Sequence, residues 1–560
     1  MIVFDEDKQN ERVDRLRKKE EEEAATDLSA KYGIQYLDLT VHPVNIDALR
    51  VIKEEEARAF QIAVFNIIDK KIQVGVLSPE SDKTKEAVET LKSRGYAPEI
   101  FMVSHASLEK VWDRYKDLSY SFETKSGALD VSNEEILEVM KKIKHVPDIQ
   151  ALITDLLTQK KAYRVSKILE IILAGGVALQ VSDIHLEPSE LDARLRYRLD
   201  GVLTDILNFD KETFDLLLSR LKLVSNLKLN VKEKAQDGRF SIRLSDSAVE
   251  VRVSLLPGEN GESVVLRILS PESTLVTLDD HDLHPKLLAI IKREIRKPNG
   301  MILTTGPTGS GKTTTLYAIL KEIYSPEIKI ITIENPIEYH LKGIVQTQTS
   351  DESGYTFAEG LRSALRQDPD VIMVGEIRDA ETAATAVNAS LTGHMVLSTL
   401  HTNNAAGTFP RLLDLGINPK VISSAINIAI AQRLVRKLCE KCKKEAPLEG
   451  ETKKLFDKVL DGIADKDYLK DVQREKMWTA VGCPSCNNTG YESRLNVFEA
   501  ILVNDKIEKA VTDNPSEREI EAAARDQGLL NLVEDGFLKI LAGLTSLDEL
   551  RRVVDLSAVE

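Results

Sequence analysis

Gly306-Pro307-Thr308-Gly309-Ser310-Gly311-Lys312-Thr313 is the stretch that decides the fold. An apolar run, MILTT at 301–305, precedes it, and a helix-like run, TTTLYAILKEIY at 313–324, follows it. Two glycines with four residues between them, the second followed by Lys-Thr, make a phosphate-binding loop: without side chains in the way, backbone N–H groups curl around phosphate oxygens. The N-terminus of the next helix adds partial positive charge at the same place. Lys312 reaches the β- and γ-phosphate oxygens, the Thr313 hydroxyl ligates Mg²⁺, and Thr314 lies at the same helix start. A glycine-rich turn is the bland alternative. The strand before and the helix after supply the context that the nucleotide reading requires.

Working outward, strand-like runs alternate with helix-like runs. IKIITI (328–333), DVIMVG (370–375) and HMVLSTL (394–400) are short and apolar, while FAEGLRSALRQ (357–367) and DAETAATAVNASL (379–391) have helical spacing. That alternation predicts a parallel sheet covered by helices on both faces. Glu376 ends one strand, and Glu334 and Glu338 follow another in ITIENPIEY. A single Glu is ordinarily a surface charge. Three at strand ends beside a phosphate loop fall where α/β sheets bind ligands, and Glu376 can join the Mg²⁺ shell or orient the attacking water. His394 and His401 bracket the strand MVLSTL. Each is either a structural histidine or a sensor of the γ-phosphate, and the residues alone leave both readings open.

The rest of the 560 residues divides by composition. At roughly 150 residues per domain, three to four domains are expected. Residues 1–30 form a charged N-terminal helix. Residues 31–116 form a small α/β domain, with strands in AVFNIIDKKIQVGVLS joined at Asp69-Lys70-Lys71 and a helix in SDKTKEAVETLKSRG that stops at Gly95. Residues 117–147 are polar and read as a linker. Residues 148–280 begin helical and turn strand-rich, through ARLRYRLDG and VEVRVSLLPGENGESVVLRIL; residues 281–436 hold the nucleotide site, 437–495 the cysteines, and 496–560 a helical end. The net charge of −15 argues against a general binder of phosphate backbones, which needs clustered Lys and Arg. No apolar run approaches the ~18–20 residues that span a bilayer, and MIVFDEDKQN is acidic where a secretory leader is basic. The expectation is a cytoplasmic protein with no transmembrane segment of its own.

All four cysteines lie in one short stretch, as Cys439-Glu-Lys-Cys442 and Cys483-Pro-Ser-Cys486. Paired CxxC motifs place four thiolates on one tetrahedral Zn²⁺. The gap between the pairs is longer than the ~15–20 residues of common zinc ribbons. The alternative is four unligated thiols.

GPTGSGKTTTL, ITIENPIEY, RQDPDVIMVGEIRDAETA and TGHMVLSTLHTN, in that order, resemble the Walker A, Asp box, Walker B and His box of the type II secretion and type IV pilus ATPases. VSDIHLEP, RLRYRLDG, QDGRF and RVSLLPGENGESVVLRIL resemble the signatures of the domain that precedes the motor in that family, and the match covers about residues 170–550. The resemblance implies an α/β multidomain chain: a RecA-like P-loop core, a preceding PAS-like α/β domain, an N-terminal α/β docking domain and a zinc-binding insertion. It implies a Mg²⁺-dependent ATPase working as a homohexamer against an inner-membrane platform protein, peripherally attached to the cytoplasmic face, with ATP, Mg²⁺ and structural Zn²⁺ and no nucleic acid. Glu376 and Glu338 then stand at the catalytic Walker B and Asp-box glutamates, and Arg252 and Arg267 at the arginines that reach a γ-phosphate across the ring. Arg194, Arg196 and Arg198 are secondary nucleotide or interface candidates. Asn335 stands where the family usually has Asp, which keeps the shape and loses the charge. An N-terminal domain and a cysteine insertion favour an assembly or export motor over a retraction motor. Overall length and the long N-terminal part favour type IV pilus assembly, with type II secretion as the alternative. A nucleic-acid motor and a regulatory nucleotide switch are the more distant readings. The Arg-Leu-Gly-rich pattern by which some relatives bind a cyclic dinucleotide has no counterpart in residues 1–116.

Overall fold

The computed structural model describes residues 21–559, apart from 23–24, 41, 43, 50, 69–70, 118–121, 125–127, 131–132, 158–163, 245–247, 270–275, 351–352, 471 and 514. The chain divides into two compact units, one of residues 1–136 and 153–170, the other of 137–152 and 171–560. Most of the expected helix over 1–30 lies outside the described residues. So do Asp69 and Lys70 of the expected strand connection.

In the first unit, β1 (Ile62–Ile68) and β2 (Lys71–Val76) pair antiparallel; α1 (Asp82–Ser93) then crosses to β3 (Ala97–Met102), which runs parallel to β2. Ser81 caps α1 by accepting a hydrogen bond from the Thr84 N–H, and Ser104 caps α2 (His105–Asp113) in the same way through Ser107. Phe65, Val74, Leu91, Leu108 and Trp112 close the core. Residues 117–147 carry more structure than a linker. Short strands at Phe122–Thr124 and Ala128–Asp130 pair with each other, and a helix spans Asn133–Lys142.

The second unit begins with an antiparallel set: β4 (Asp183–Pro188), β5 (Asp192–Leu199), β6 (Val202–Asp210), then α3 (Lys211–Val224), β7 (Gln236–Arg243), β8 (Ala248–Gly258) and β9 (Gly261–Leu269). Its strands neighbour one another in the order β7-β8-β9-β4-β5-β6. Alternation decides the faces. Phe240, Val251, Leu266, Ile184 and Tyr197 point into the core, so the residues beside them point the other way.

The motor part is built on a seven-stranded sheet: β10 (Gly300–Thr305), α4 (Lys312–Ile323), β11 (Ile330–Glu334), β12 (Val345–Gln348), α5 (Phe357–Leu365), β13 (Val371–Val374), α6 (Ala380–Leu391), β14 (Met395–Leu400), β15 (Ile426–Leu438) and β16 (Tyr491–Leu502). The strand order is β12-β11-β13-β14-β10-β15-β16. All neighbours run parallel except β15 and β16, which are antiparallel. The unbroken apolar runs have a simple cause. Met301, Ile331, Ile372 and Val396 enter one core with α5 and α6, while Ile302, Ile330, Met373 and Leu397 enter another with Leu316 and Ile319 of α4. With both faces buried, neither set of side chains is free to be polar.

Candidate nucleotide and metal sites

The carboxyl ends of the parallel strands meet along one edge. From β10 the chain turns at Gly306 (φ 148°) and starts α4 from Gly311 (φ 90°). A Cβ on Gly306 would lie 2.6 Å from the Gln432 carbonyl oxygen, and one on Gly311 would lie 2.6 Å from Gln432 Nε2. Both glycines are therefore required by space as well as by backbone angle. Lys312 is buried, and its Nζ donates to the carbonyls of Gly306 (2.8 Å) and Pro307 (3.0 Å). Burial pushes its amine down to about 8; Arg433 acts in the same direction and Glu376 opposes both. The Ser310 hydroxyl is buried with no hydrogen-bond partner among the described residues, as suits a loop built to receive acceptor oxygens from outside. Pro307, Thr308 and Gly309 are exposed, and Thr313 and Thr314 are half-buried at the helix start.

Glu376 lies just past the end of β13, two strands from β10. Its carboxylate takes Arg378 Nη2 at 2.6 Å and His401 Nε2 at 3.4 Å. The two histidines part here. His401 follows the carboxyl end of β14 and joins the site. His394 precedes the amino end, six residues away at ~3.3 Å each, and its Nδ1 lies 3.1 Å from the Ala389 carbonyl at the end of α6. The structure does not bring His394 to the phosphate loop.

The two Asp-box glutamates also differ. Glu334 is buried at the end of β11, where it accepts from Tyr317, from Thr332 Oγ1 (2.6 Å) and from Gln346 Nε2 (3.1 Å). Burial and the Glu334 carboxylate raise the Tyr317 phenol well above its ordinary range. Glu334 thus anchors the loop that follows β11. Glu338 is more exposed and takes Arg252 Nη1 at 3.2 Å, while Arg252 Nη2 donates to the Ile337 carbonyl at 2.7 Å. This pairing lies within one chain. Within the single chain Arg252 rests on the Asp-box loop, and its expected reach to a γ-phosphate across a subunit boundary belongs to the assembled ring.

Register places Arg252 in a row. Arg239, Arg252, Arg267, Asp183 and Arg198 stand opposite one another on β7, β8, β9, β4 and β5. Asp183 holds both Arg267 (3.0 Å) and Arg198 (3.1 Å). Like charges directly opposite destabilise a sheet, and here carboxylates offset them: Asp183 between Arg267 and Arg198, and Glu338 on Arg252. Arg194 and Arg196 sit in other rows and are held by Glu187 at 3.5 and 2.5 Å.

Gln432 and Arg433 were missed in the sequence. Parallel pairing of Thr305 with Ala431 puts both directly beside Gly306. The buried Arg433 guanidinium donates to the Gln432 carbonyl (3.0 Å) and to the Asn403 carbonyl, below the phosphate loop. The only signal was position: a polar pair interrupting an apolar strand, INIAIAQRLV.

The four cysteines come together. Sγ–Sγ separations are 3.7 Å for Cys483–Cys486, 3.8 Å for Cys442–Cys486 and 4.0 Å for Cys439–Cys483, and all four sulfurs lie within 4.8 Å of one another. Thiolates ~2.3 Å from a tetrahedral Zn²⁺ stand about 3.8 Å apart, so the set fits that ion. The Cys483 and Gly490 N–H groups both donate to Cys486 Sγ at 3.2 Å.

The sequence profile of the family described as "Type II/IV secretion system protein" matches residues 158–552. The "Type II secretion system ATPase E" of Vibrio cholerae serotype O1 is 43% identical over 399 residues, 71% of this chain and 77% of the relative. The "Type II secretion system protein E" of Dickeya dadantii is 38% identical over 515 residues, 91% of this chain and 98% of the relative. Among solved structures, the ATPase DotB of Legionella pneumophila superposes with a TM-score of 0.50 at 22% identity, over 70% of this chain and 97% of that one, a likeness of fold. With a P-loop on the edge of a parallel sheet and a profile match over most of its length, the chain belongs to the type II/IV secretion system protein family, as one of its secretion-type ATPases.

Proposed function

We propose that the chain is a Mg²⁺-dependent ATP-hydrolysing motor that drives assembly of a pilus or pseudopilus at the inner membrane. One observation carries this reading: Lys312 lies within reach of the Glu376 charge, Glu376 pairs with His401, and the Arg252–Glu338 pair follows another strand of the motor sheet at the same carboxyl edge. Lys312 and the loop N–H groups bind the β- and γ-phosphates. Thr313 and Glu376 would hold Mg²⁺, which would supply positive charge beside the phosphoryl oxygens. His401 and Arg378 fix the Glu376 carboxylate so that it orients the attacking water. Glu338 keeps Arg252 beside the site, and Arg252 with Arg267 supplies cationic stabilisation as the γ-phosphate leaves. Zn²⁺ on the four cysteines would be structural, since Cys439, Cys442, Cys483 and Cys486 would fill all four of its positions.

In this reading the chain works as a homohexamer on the cytoplasmic face of the inner membrane, moving a platform protein. Residues 31–116 dock to the machinery, and residues 148–280 form a PAS-like domain. Among the described residues no helix is long and apolar enough to cross a membrane. Two machines remain. The names of the relatives above support type II secretion, and overall length with the long N-terminal part supports type IV pilus assembly.

The test is ATPase activity of the purified chain, separated by size, with and without single-stranded DNA. Activity in a hexamer-sized fraction that ignores DNA is expected, and strong stimulation by DNA would transfer the site to a nucleic-acid motor. Expression in hosts lacking either motor then separates the machines by what returns, an exported enzyme or surface fibres.

A further inference from the structure

One polar chain inside the motor lies outside the roles above. Gln432 is fully buried, yet it meets the phosphate loop at three points. Its carbonyl oxygen backs Gly306, its Nε2 backs Gly311, and its Oε1 accepts from Thr315 Oγ1 of α4 at 2.8 Å. Beyond it, Gln432 Nε2 donates to Asn496 Oδ1 (2.5 Å) on the antiparallel strand β16, and Asn496 Nδ2 donates to the His281 carbonyl (3.3 Å). The direction is set at the far end, because a backbone carbonyl can only accept. Asn496 must present its amide nitrogen to His281, hence its oxygen to Gln432, hence the Gln432 oxygen to Thr315. His281 sits in the segment leading into the motor part. It is buried, with Nδ1 2.7 Å from the Thr277 carbonyl. The strand carrying Asn496 is held as well, by Lys539 Nζ donating to the Asn496 carbonyl at 2.6 Å.

We propose that Thr315, Gln432 and Asn496 are positioning residues that brace the phosphate loop and tie its shape to the segment around His281. This inference rests on the nucleotide reading of the loop. A buried polar chain with a single sense holds one geometry, because reversing the Gln432 amide sets acceptor against acceptor at Asn496, and reversing Asn496 sets donor against donor at Gln432 and acceptor against acceptor at His281. Movement of His281 on entry to the motor is then felt at Gly311 and Thr315, where α4 begins, and the nucleotide reports back along the same path.

The test uses the full chain, a fluorescent ATP analogue for binding and steady-state hydrolysis. Thr315→Val removes the hydroxyl and keeps the shape. Asn496→Asp keeps the acceptor for Gln432 and turns the donor towards His281 into an acceptor, at a residue that does not touch the loop. Each variant is expected to raise KM and the analogue's Kd about fivefold, the factor matching one net hydrogen bond of about 1 kcal/mol, with kcat within about twofold. The double variant is expected to be no weaker than the weaker single, since both break one chain. Additive effects, or an Asn496→Asp chain that keeps both its thermal midpoint and its nucleotide affinity, would overturn the relay. Should Asn496→Asp fail to fold, Thr315→Val decides by its own split of KM from kcat. Unmodified chain that binds no analogue would instead overturn the nucleotide reading itself.

Discussion

Lys312 is under two opposed demands: it must be charged to hold phosphate, and it is buried where charge is disfavoured. Its amine, pushed down to about 8 by burial, regains its preference for the proton when anionic oxygens arrive. ATP affinity is therefore expected to be full below about pH 8 and to weaken as pH rises through that value. Binding near pH 8 is expected to take up a proton, which calorimetry in buffers of different ionisation enthalpy detects; equal heats in all buffers would contradict it. Lys312→Ala is expected to abolish turnover. Glu376→Gln is expected to keep nucleotide affinity within a few-fold while slowing hydrolysis about 10²-fold or more, because water orientation is lost and the phosphate contacts are not. Single-turnover and binding measurements on the same sample separate the two. At this scale the loop was legible because its glycines and Lys-Thr are contiguous. Gln432 and Arg433 were not, because only strand register places them under Gly306.

Whole elements carry the next set of constraints. Gly306 is fixed by the backbone of β15 behind it. Gly306→Ala is expected to cost about 1–3 kcal/mol locally and to weaken ATP-analogue binding at least tenfold, with a smaller change in the melting of the other parts. The cysteine insertion is held by its own thiols and by β15 and β16. One zinc per chain is expected by elemental analysis, and Cys483→Ser is expected to lose it and to melt the insertion first, while analogue binding persists. The alternation of strands and helices from 300 to 400 was readable because two-sided burial leaves long apolar runs. The antiparallel pair was harder to read. β15 looks like one more parallel strand, and β16 begins within the residues assigned to the insertion. His394 shows the same limit: proximity in sequence to His401 says nothing of which end of a strand faces the nucleotide.

Across the whole molecule, charge order matters more than net charge. A chain of net charge −15 sets four arginines in a row on one sheet, with Arg252 bonded to the loop that carries Glu338. Arg252→Ala is expected to lower turnover by about tenfold or more while changing ATP-analogue affinity little, since the cation matters most as phosphoryl charge builds. Equal losses in affinity and turnover would assign it to ground-state binding instead. The fold class was legible from one motif and its surroundings. The division into two units was only partly so, because the polar stretch 117–147 hides short strands whose partners are set by neighbouring chain rather than by composition.

The β15–β16 pairing has one more consequence. Leu438 pairs with Tyr491, and the Cys439 N–H donates to the Gly490 carbonyl at 3.0 Å. The chain leaves and re-enters the sheet one strand spacing apart, about 5 Å. Topologically, everything from Cys439 to Gly490 is the tip of a hairpin. It is not a separable cassette, however: Phe456 packs on Phe537, and Leu460 and Ile463 enter the core beneath the motor sheet, so the tip folds back and closes the body from which it springs.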